Sequence, residues 1–342
     1  MRLKAGKLDN ETLKRIVIDK IKYKSEEVAI KAGIGEDCAY LDFDKDYCVI
    51  STDPITASVE DIGRLAVHVC CNDVAATGTK AFCLFLAVML PVGSALSDVE
   101  RIMEQAAGEA EKLQVEIAGG HTEVTPAVNR PVIVATAIGK APKDQTLARE
   151  GIRVGDKLIV TKSLGLEGTA LIATDYAERL TGLTKEEIAS ARRFAEQTDV
   201  VTEGVIAGKL GVSAMHDVTE GGIEGAVWEL CQVAQTGAVL MESVIPGEPV
   251  TRKICQAVGI DWRKLISSGA MLIVVRPDKA ETLLDNLAEA GVPATLIGEM
   301  VPKEQGITME EKATPQDVPG AGKRRPIAPP TSDEIYKVVR QR

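Results

Sequence analysis

The sequence predicts an α+β protein of two domains. Three observations carry that expectation. The chain has 342 residues, roughly twice the ~150 of an average domain. Its strand-length apolar runs come in clusters with helix-length amphipathic stretches between them, which favours helices on one face of a mixed sheet over a doubly wound parallel sheet. A polar, glycine-punctuated joint from Arg149 to Asp156 divides the pattern. The expected order is a helical segment over 1–24, a domain over 25–150, a second over 151–315, and a basic, proline-rich tail over 316–342.

Composition excludes several classes. The chain is 45% hydrophobic and 26% charged, enough to bury cores and unlike disordered or fibrous proteins. A net charge of −10 argues against nucleic-acid and anionic-membrane partners, and 3% aromatic residues leave little to stack bases on. No apolar run approaches the ~18–20 residues of a membrane span, and no secretory apolar core follows Met1. The seven cysteines are irregularly spaced, with no CxxC pair. They fit reduced thiols in a cytoplasmic protein better than a zinc site.

The elements follow in order. Asp9 to Tyr23 places Leu13, Ile16, Val17 and Ile21 near helical spacing. Val28–Ala32 reads as a short strand entering Gly33-Ile34-Gly35-Glu36-Asp37. Ala39–Phe43 and Tyr47–Thr52 read as strands around the turn Asp44-Lys45-Asp46, the second ending at Asp53-Pro54. From Asp61 to Thr77 a helix carries the stripe Ile62, Leu65, Ala66, Val69. Asp73 falls on the same stripe, because eleven residues at about 3.6 per turn return to nearly one direction. An inward carboxylate is costly unless neutralised, and Asn72 adds a second polar group beside it. Ala81–Leu90 is a buried strand, Ser97–Leu113 an amphipathic helix, and Val115–Ala118 a strand opening into a glycine loop, Gly119-Gly120-His121-Thr122-Glu123. Pro131–Gly139 is a further strand.

In the second half, strands are expected at Lys157–Thr161, Val212–His216, Met271–Val275 and Ala294–Met300. Helices are expected at Thr169–Glu178, Lys185–Ala195, Asp199–Leu210, Ile223–Val233, Val250–Val258 and Asp278–Ala290. Asp217-Val218-Thr219-Glu220-Gly221-Gly222 sits between a strand end and a helix start, where anions are favoured. The tail reads as a flexible appendage, with a short helix from Asp333 to Val339 able to dock.

Four acids therefore stand at element ends: Asp37, Asp53, Asp73 and Asp217. Glycines at 33 and 35 admit a close ligand, but carboxylates repel a phosphate unless a cation lies between. Loop and acids together describe a magnesium–phosphate site. Taken alone, such a loop is more often a surface turn. If the four acids converge, two carboxylates at ~4 Å repel by roughly 4 kcal/mol at an effective dielectric near 20, and Mg²⁺ would relieve that. The Walker, GxGxxG and kinase motifs are absent. His121 and His216 adjoin ligand loops and are candidates for substrate contact or general base. Lys162 is a candidate phosphate contact, and His68 and Cys70-Cys71 read as structural.

The combination Gly33-Ile34-Gly35-Glu36-Asp37-Cys38-Ala39, Ser51-Thr52-Asp53, Asp61-Ile62-Gly63-Arg64-Leu65-Ala66, Asn72-Asp73-Val74-Ala75-Ala76-Thr77-Gly78, Gly119-Gly120-His121-Thr122 and Asp217-Val218-Thr219-Glu220-Gly221-Gly222 resembles the aminoimidazole ribonucleotide synthetase (PurM-like) superfamily. That superfamily includes thiamine-monophosphate kinase, selenophosphate synthetase and the hydrogenase maturation protein HypE. The resemblance spans roughly residues 25–310 and is greatest to the HypE branch. It implies an N-terminal sheet that forms a barrel across a homodimer, a C-terminal α+β domain, and ATP between them. It implies magnesium on Asp37, Asp53, Asp73 and Asp217, with nucleotide contacts from Gly33, Gly35, Asn72, Gly119, Gly120, Thr219, Gly221 and Gly222. The implied reaction moves phosphate from ATP to an oxygen of an acceptor, with a protein partner in a HypE-like role.

Three departures qualify this. HypE works through a cysteine at its extreme C-terminus, whereas this chain ends Val338-Val339-Arg340-Gln341-Arg342 and its last cysteine is Cys255; the expectation is either action on another molecule or a different substrate. His121 replaces the acid that follows the paired glycines in HypE, as in selenophosphate synthetase, whose reactive cysteine and lysine have no match before Gly33. The Gly33–Ala39 loop is most similar to thiamine-monophosphate kinase. A small-molecule kinase and a non-catalytic nucleotide-binding partner protein remain the alternatives.

Overall fold

Two sheets, each antiparallel but for one strand pair, organise the chain in a computed structural model. It describes residues 10–23, 25–31, 33, 38–56, 60–143, 151–311, 323–330 and 332–339. A short helix α1 (Asn10–Ile16) precedes the first sheet. That sheet holds β1 (Val28–Ile30), β2 (Ala39–Phe43), β3 (Asp46–Ile55), β4 (Ala81–Leu90), β5 (Glu116–Val124) and β6 (Val132–Pro142), in the order β1-β2-β3-β6-β4-β5. Helix α2 (Ile62–Ala76) joins β3 to β4, and α3 (Leu96–Leu113) joins β4 to β5. Only β4 and β5 run parallel, as a crossover through a helix requires.

The expected glycine loop at 119–123 is instead the middle of β5, paired with β4 from Cys83↔Glu116 to Leu90↔Val124. A Cβ on Gly120 would lie 1.9 Å from the Leu86 carbonyl oxygen. The paired glycines therefore let two strands close up, a reading that short motifs cannot separate from a ligand loop.

Helices α2 and α3 cover one face of this sheet. On the other face β4 presents Phe82 and Phe85, which are 55% and 41% exposed. Half-buried Val134 and Ile138 of β6 lie on the same side. Within the single chain the sheet stays open.

The second sheet runs β13-β12-β9-β11-β7-β10-β8. Its strands are β7 (Lys157–Thr161), β8 (Ala214–Asp217), β9 (Gly237–Met241), β10 (Met271–Val275), β11 (Ala294–Val301), β12 (Ile307–Glu310) and β13 (Arg324–Pro326). Around it pack α4 (Leu166–Asp175), α5 (Lys185–Arg192), α6 (Val201–Leu210), α7 (Gly222–Ala234), α8 (Pro249–Val258), α9 (Ala280–Glu289) and α10 (Ile335–Val339). Strands β9, β12 and β13 were not anticipated, being short and flanked by polar residues. The tail bears out the expected docking helix at its end but departs from the expected flexible appendage. Its described part is integrated rather than loose: β13 pairs with β12, Ile327 is buried, and Ile335 and Val338 of α10 enter a core cluster with Leu171, Leu180 and Cys255.

Helix α2 is buried nearly all round, beyond the single stripe that its spacing predicts. One side lies on β3 and β6; the other meets α6 and β8. Its core cluster continues into Ile159, Val201, Ala207, Met215 and Ile273 of the second half. The fit against α6 is close. A Cβ on Gly204 would sit 2.5 Å from the Ala75 carbonyl oxygen, and one on Gly208 would sit 2.4 Å from that of Gly78. No helix among the described residues is long and apolar enough to cross a membrane.

Candidate nucleotide and metal site

A cavity of about 370 Å³ opens between the two sheets. Asp53, near the end of β3, and Asp73, in the last turn of α2, reach it from the first half; Asp217, at the end of β8, and Thr219 reach it from the second. Three acids, the last of them more than a hundred residues along the chain from the other two, thus share one space. Asp73 and Asp217 are buried. The Ser51 hydroxyl lies 2.5 Å from Asp73 Oδ2 and 3.2 Å from Asp53 Oδ2. It has a single proton to donate, so it serves one carboxylate fully and the other poorly. The fourth acid, Asp37, lies outside the described residues together with Gly35, while Gly33 is described and does not line the cavity.

Among the described residues no three His, Cys, Asp or Glu side chains form a ready-made metal cage. The donor set fits Mg²⁺ nonetheless. That ion takes one or two carboxylates and fills its octahedron with phosphate oxygens and water, and the Asp53–Ser51–Asp73 cluster offers two carboxylates against one proton.

Two further acids line the cavity that sequence reasoning had not singled out, Glu167 and Glu220. Glu167 sits in the first turn of α4. That turn starts at Gly165, whose φ of 74° suits glycine and whose N–H donates to Ser267 Oγ at 2.7 Å. Glu167 is 7% exposed, and its Oε2 has no hydrogen-bond partner among the described residues. Burial pushes its carboxyl up to about 7, opposed by the adjacent Ser268 hydroxyl. The signal was available, since Glu167 stands between two glycines at a helix start, as Glu220 stands before two. Glu220 accepts the Tyr336 hydroxyl at 2.8 Å, so α10 forms part of the cavity wall.

The other candidates are placed elsewhere. Asn72 donates to the Thr198 carbonyl and accepts from the Val200 N–H, both at 2.8 Å. It pins α2 to the second half and does not line the cavity. The Gly221 N–H, at the start of α7, is taken by Asp333 Oδ2 at 2.7 Å; the protein's own carboxylate occupies the place expected of a ligand anion. Burial pushes Asp333 up to about 7 against backbone N–H donors from Ile335, Gly221 and Ile266. Gly222 is fixed by packing, since a Cβ there would lie 2.3 Å from the Arg263 carbonyl oxygen. His216 is buried beside Asp217 but bonds Glu229 at 2.9 Å and lies outside the lining. Gly119, Gly120 and His121 lie on edge strand β5, with His121 exposed and 3.4 Å from Glu123. Lys162 is held by Glu203 at 2.9 Å and by the Asp199 carbonyl. His68 is buried between Thr198 and Glu109. No Lys, Arg or His is among the described lining residues.

Two mixed sheets with a shared core, and carboxylates of both halves around one cleft, define a two-domain α+β protein with a metal-compatible acidic site. The chain belongs to the AIR synthase related protein family: the N-terminal domain of that family matches residues 35–141 and the C-terminal domain residues 153–310. It is PurM-like and HypE-related. A Methanocaldococcus jannaschii relative, named for hydrogenase expression and formation, is 27% identical over 89% of this chain and 91% of its own length. Carbamoyl dehydratase HypE of Bradyrhizobium diazoefficiens is 29% identical over 78% of each chain. Among solved structures, HypE in complex with ATP has a TM-score of 0.71 at 22% identity, covering 95% of both chains. Thiamine-monophosphate kinase of Stenotrophomonas maltophilia has one of 0.67 at 21% identity, covering 84% of this chain and 93% of its own. At these identities the two structures speak to the fold.

Proposed function

We propose that this protein is an ATP- and magnesium-dependent enzyme that transfers phosphate to an oxygen of an acceptor carried by another molecule, in the manner of carbamoyl dehydratase. The observation that carries the reading is the meeting of Asp53, Asp73 and Asp217 in one cavity, of a size that small-molecule sites occupy. Asp53 and Asp73, with Asp217 opposite, would hold Mg²⁺. The bound metal would neutralise the phosphates and the charge developing in transfer. Asp37 belongs to the same proposed ligand set, and Thr219 to the nucleotide contacts. The relatives named HypE and the ATP complex of HypE support the nucleotide assignment.

An external acceptor follows from the cysteines. No cysteine is among the described lining residues, and Cys255 is buried with its thiol pushed up to about 12 by burial. The carbamoyl reading is favoured over a thiamine-monophosphate kinase reading by charge. With no cation among the described lining residues, an acceptor bringing its own phosphate would face carboxylates unless the metal ions held both phosphates. The open face of the first sheet supports a homodimer closed across Phe82 and Phe85. A cytoplasmic location and a protein partner presenting the acceptor complete the proposal.

Calorimetry tests the site. ATP should bind tightly only with Mg²⁺, and Asp73→Asn or Asp217→Asn should weaken binding roughly tenfold or more, the worth of about 1.4 kcal/mol. Unchanged affinity in both variants would end the assignment. ADP release tests the chemistry. Release with an S-carbamoyl thiol supports the reading, release only with thiamine monophosphate selects the kinase, and tight binding without any release selects a non-catalytic protein.

A further inference from the structure

The cavity holds a buried acid, Glu167, that the proposed metal ligands do not explain. Asp53 and Asp73 enter from the first half, linked through Ser51. The second half supplies Asp217, Thr219 and Glu220, and with them Glu167 and Ser268 beside the apolar side chains of Leu171 and Ile266. Glu167 makes no salt bridge among the described residues, unlike buried Glu203 and Glu224, which pair with Lys162 and Arg325. A carboxyl that is 7% exposed with one oxygen unserved is an energetic liability, and a fold keeps one where something else supplies the missing partner.

We infer that Glu167 is a catalytic residue: it faces the acceptor and takes the proton that the acceptor loses. This rests on the phosphotransfer reading above. The balance is simple. A lone pair on the acceptor oxygen forms the new bond to the γ-phosphorus of ATP. The bond from that phosphorus to the bridging oxygen breaks, and its electron pair leaves with ADP. The O–H of a hydroxyl acceptor, or the N–H of an amide acceptor, then passes its proton to Glu167 Oε2. The apolar neighbours suit an uncharged acceptor, and the burial that raises the carboxyl toward neutrality makes it a competent base near neutral pH.

The test uses the full chain, MgATP and one probe, N-acetyl-S-carbamoylcysteamine, with ADP release as readout. Glu167→Gln keeps shape and removes the base. Its kcat should fall by roughly 100-fold or more, while the MgATP Kd from calorimetry stays within about threefold and the melting temperature holds. A smaller fall in kcat overturns the inference. So does a wild-type protein that binds MgATP but releases no ADP with this probe, since the base is assigned to that class of acceptor. Should the Gln variant fail to fold, Glu167→Asp, which withdraws the carboxyl by one methylene, must give at least a roughly tenfold loss of kcat at unchanged Kd. If wild-type protein does not bind MgATP at all, the failure belongs to the parent reading.

Discussion

Ser51 has one hydroxyl proton and two carboxylates to serve. Asp53 and Asp73 therefore keep part of their mutual repulsion in the apoprotein, and a divalent cation should relieve it. Saturating Mg²⁺ at a hundred times its Kd stabilises by about 2.7 kcal/mol, so chelation with EDTA should lower the melting temperature by a few degrees and added MgCl₂ should restore it. No response in a thermal scan would argue against a metal on these acids. Glu109 illustrates the opposite electrostatics. A hydrogen bond from His68, reinforced by Lys112 and the charges of His68 and Arg64, pulls it from 4.5 down to about 2. A depressed carboxylate stabilises the fold above its unfolded pKa and stops doing so as pH falls through the folded one. The contribution should fade between about pH 4.5 and 2. Glu109→Gln should flatten the acid limb of a plot of melting temperature against pH, leaving the variant and wild type closer at pH 3 than at pH 6.

Helix α2 carries the logic of the molecule at the scale of elements. Its inward stripe was legible: Ile62, Leu65, Ala66 and Val69 predict both the helix and the direction of Asp73. Its second buried face was not, because the partner, α6, lies far along the chain and leaves no local periodicity. Asn72 has a second reading for the same reason. Beside an inward acid it looks like a nucleotide ligand, whereas its two hydrogen bonds clamp α2 to Thr198 and Val200. The two roles give different outcomes. Asn72→Ala orphans a buried carbonyl and a buried N–H, which should destabilise by about 2–4 kcal/mol in chemical denaturation. MgATP affinity should stay within about threefold. An affinity loss without a stability loss would restore the nucleotide role. The same blindness to distant partners applies to β5, whose glycines answer to the Leu86 backbone of a neighbouring strand.

Over the whole molecule, the fold class and most elements were readable because they depend on local pattern: α2, β4, α3, β7 and β10 fall within a residue or two of their expected limits. The site was readable in part. Asp53, Asp73 and Asp217 were singled out by position, but their meeting depends on how two sheets share a core. Glu167 and Tyr336 gain meaning only from that meeting. The tail was underestimated because its composition is that of a linker, while its fit to β12 and to the core cluster of Leu171, Leu180 and Cys255 is set by residues elsewhere. One global property remains to be measured. Phe82→Glu with Phe85→Glu on the open sheet face should halve the mass seen by light scattering, from dimer to monomer. An unchanged mass would place any assembly on another surface.

The burial of α2 on two sides also sets a schedule for synthesis. The first sheet has all its strands once residue 142 has been made, but α6 ends at residue 210. At 5–20 residues per second, roughly 3–14 s pass in which the outer side of α2, with Ala75, Gly78 and the buried Asn72, faces water or a chaperone. A nascent chain stalled in that interval should bind holdases and resist proteases poorly. Release of that binding should coincide with emergence of α6 from the ribosome, not with completion of the first sheet.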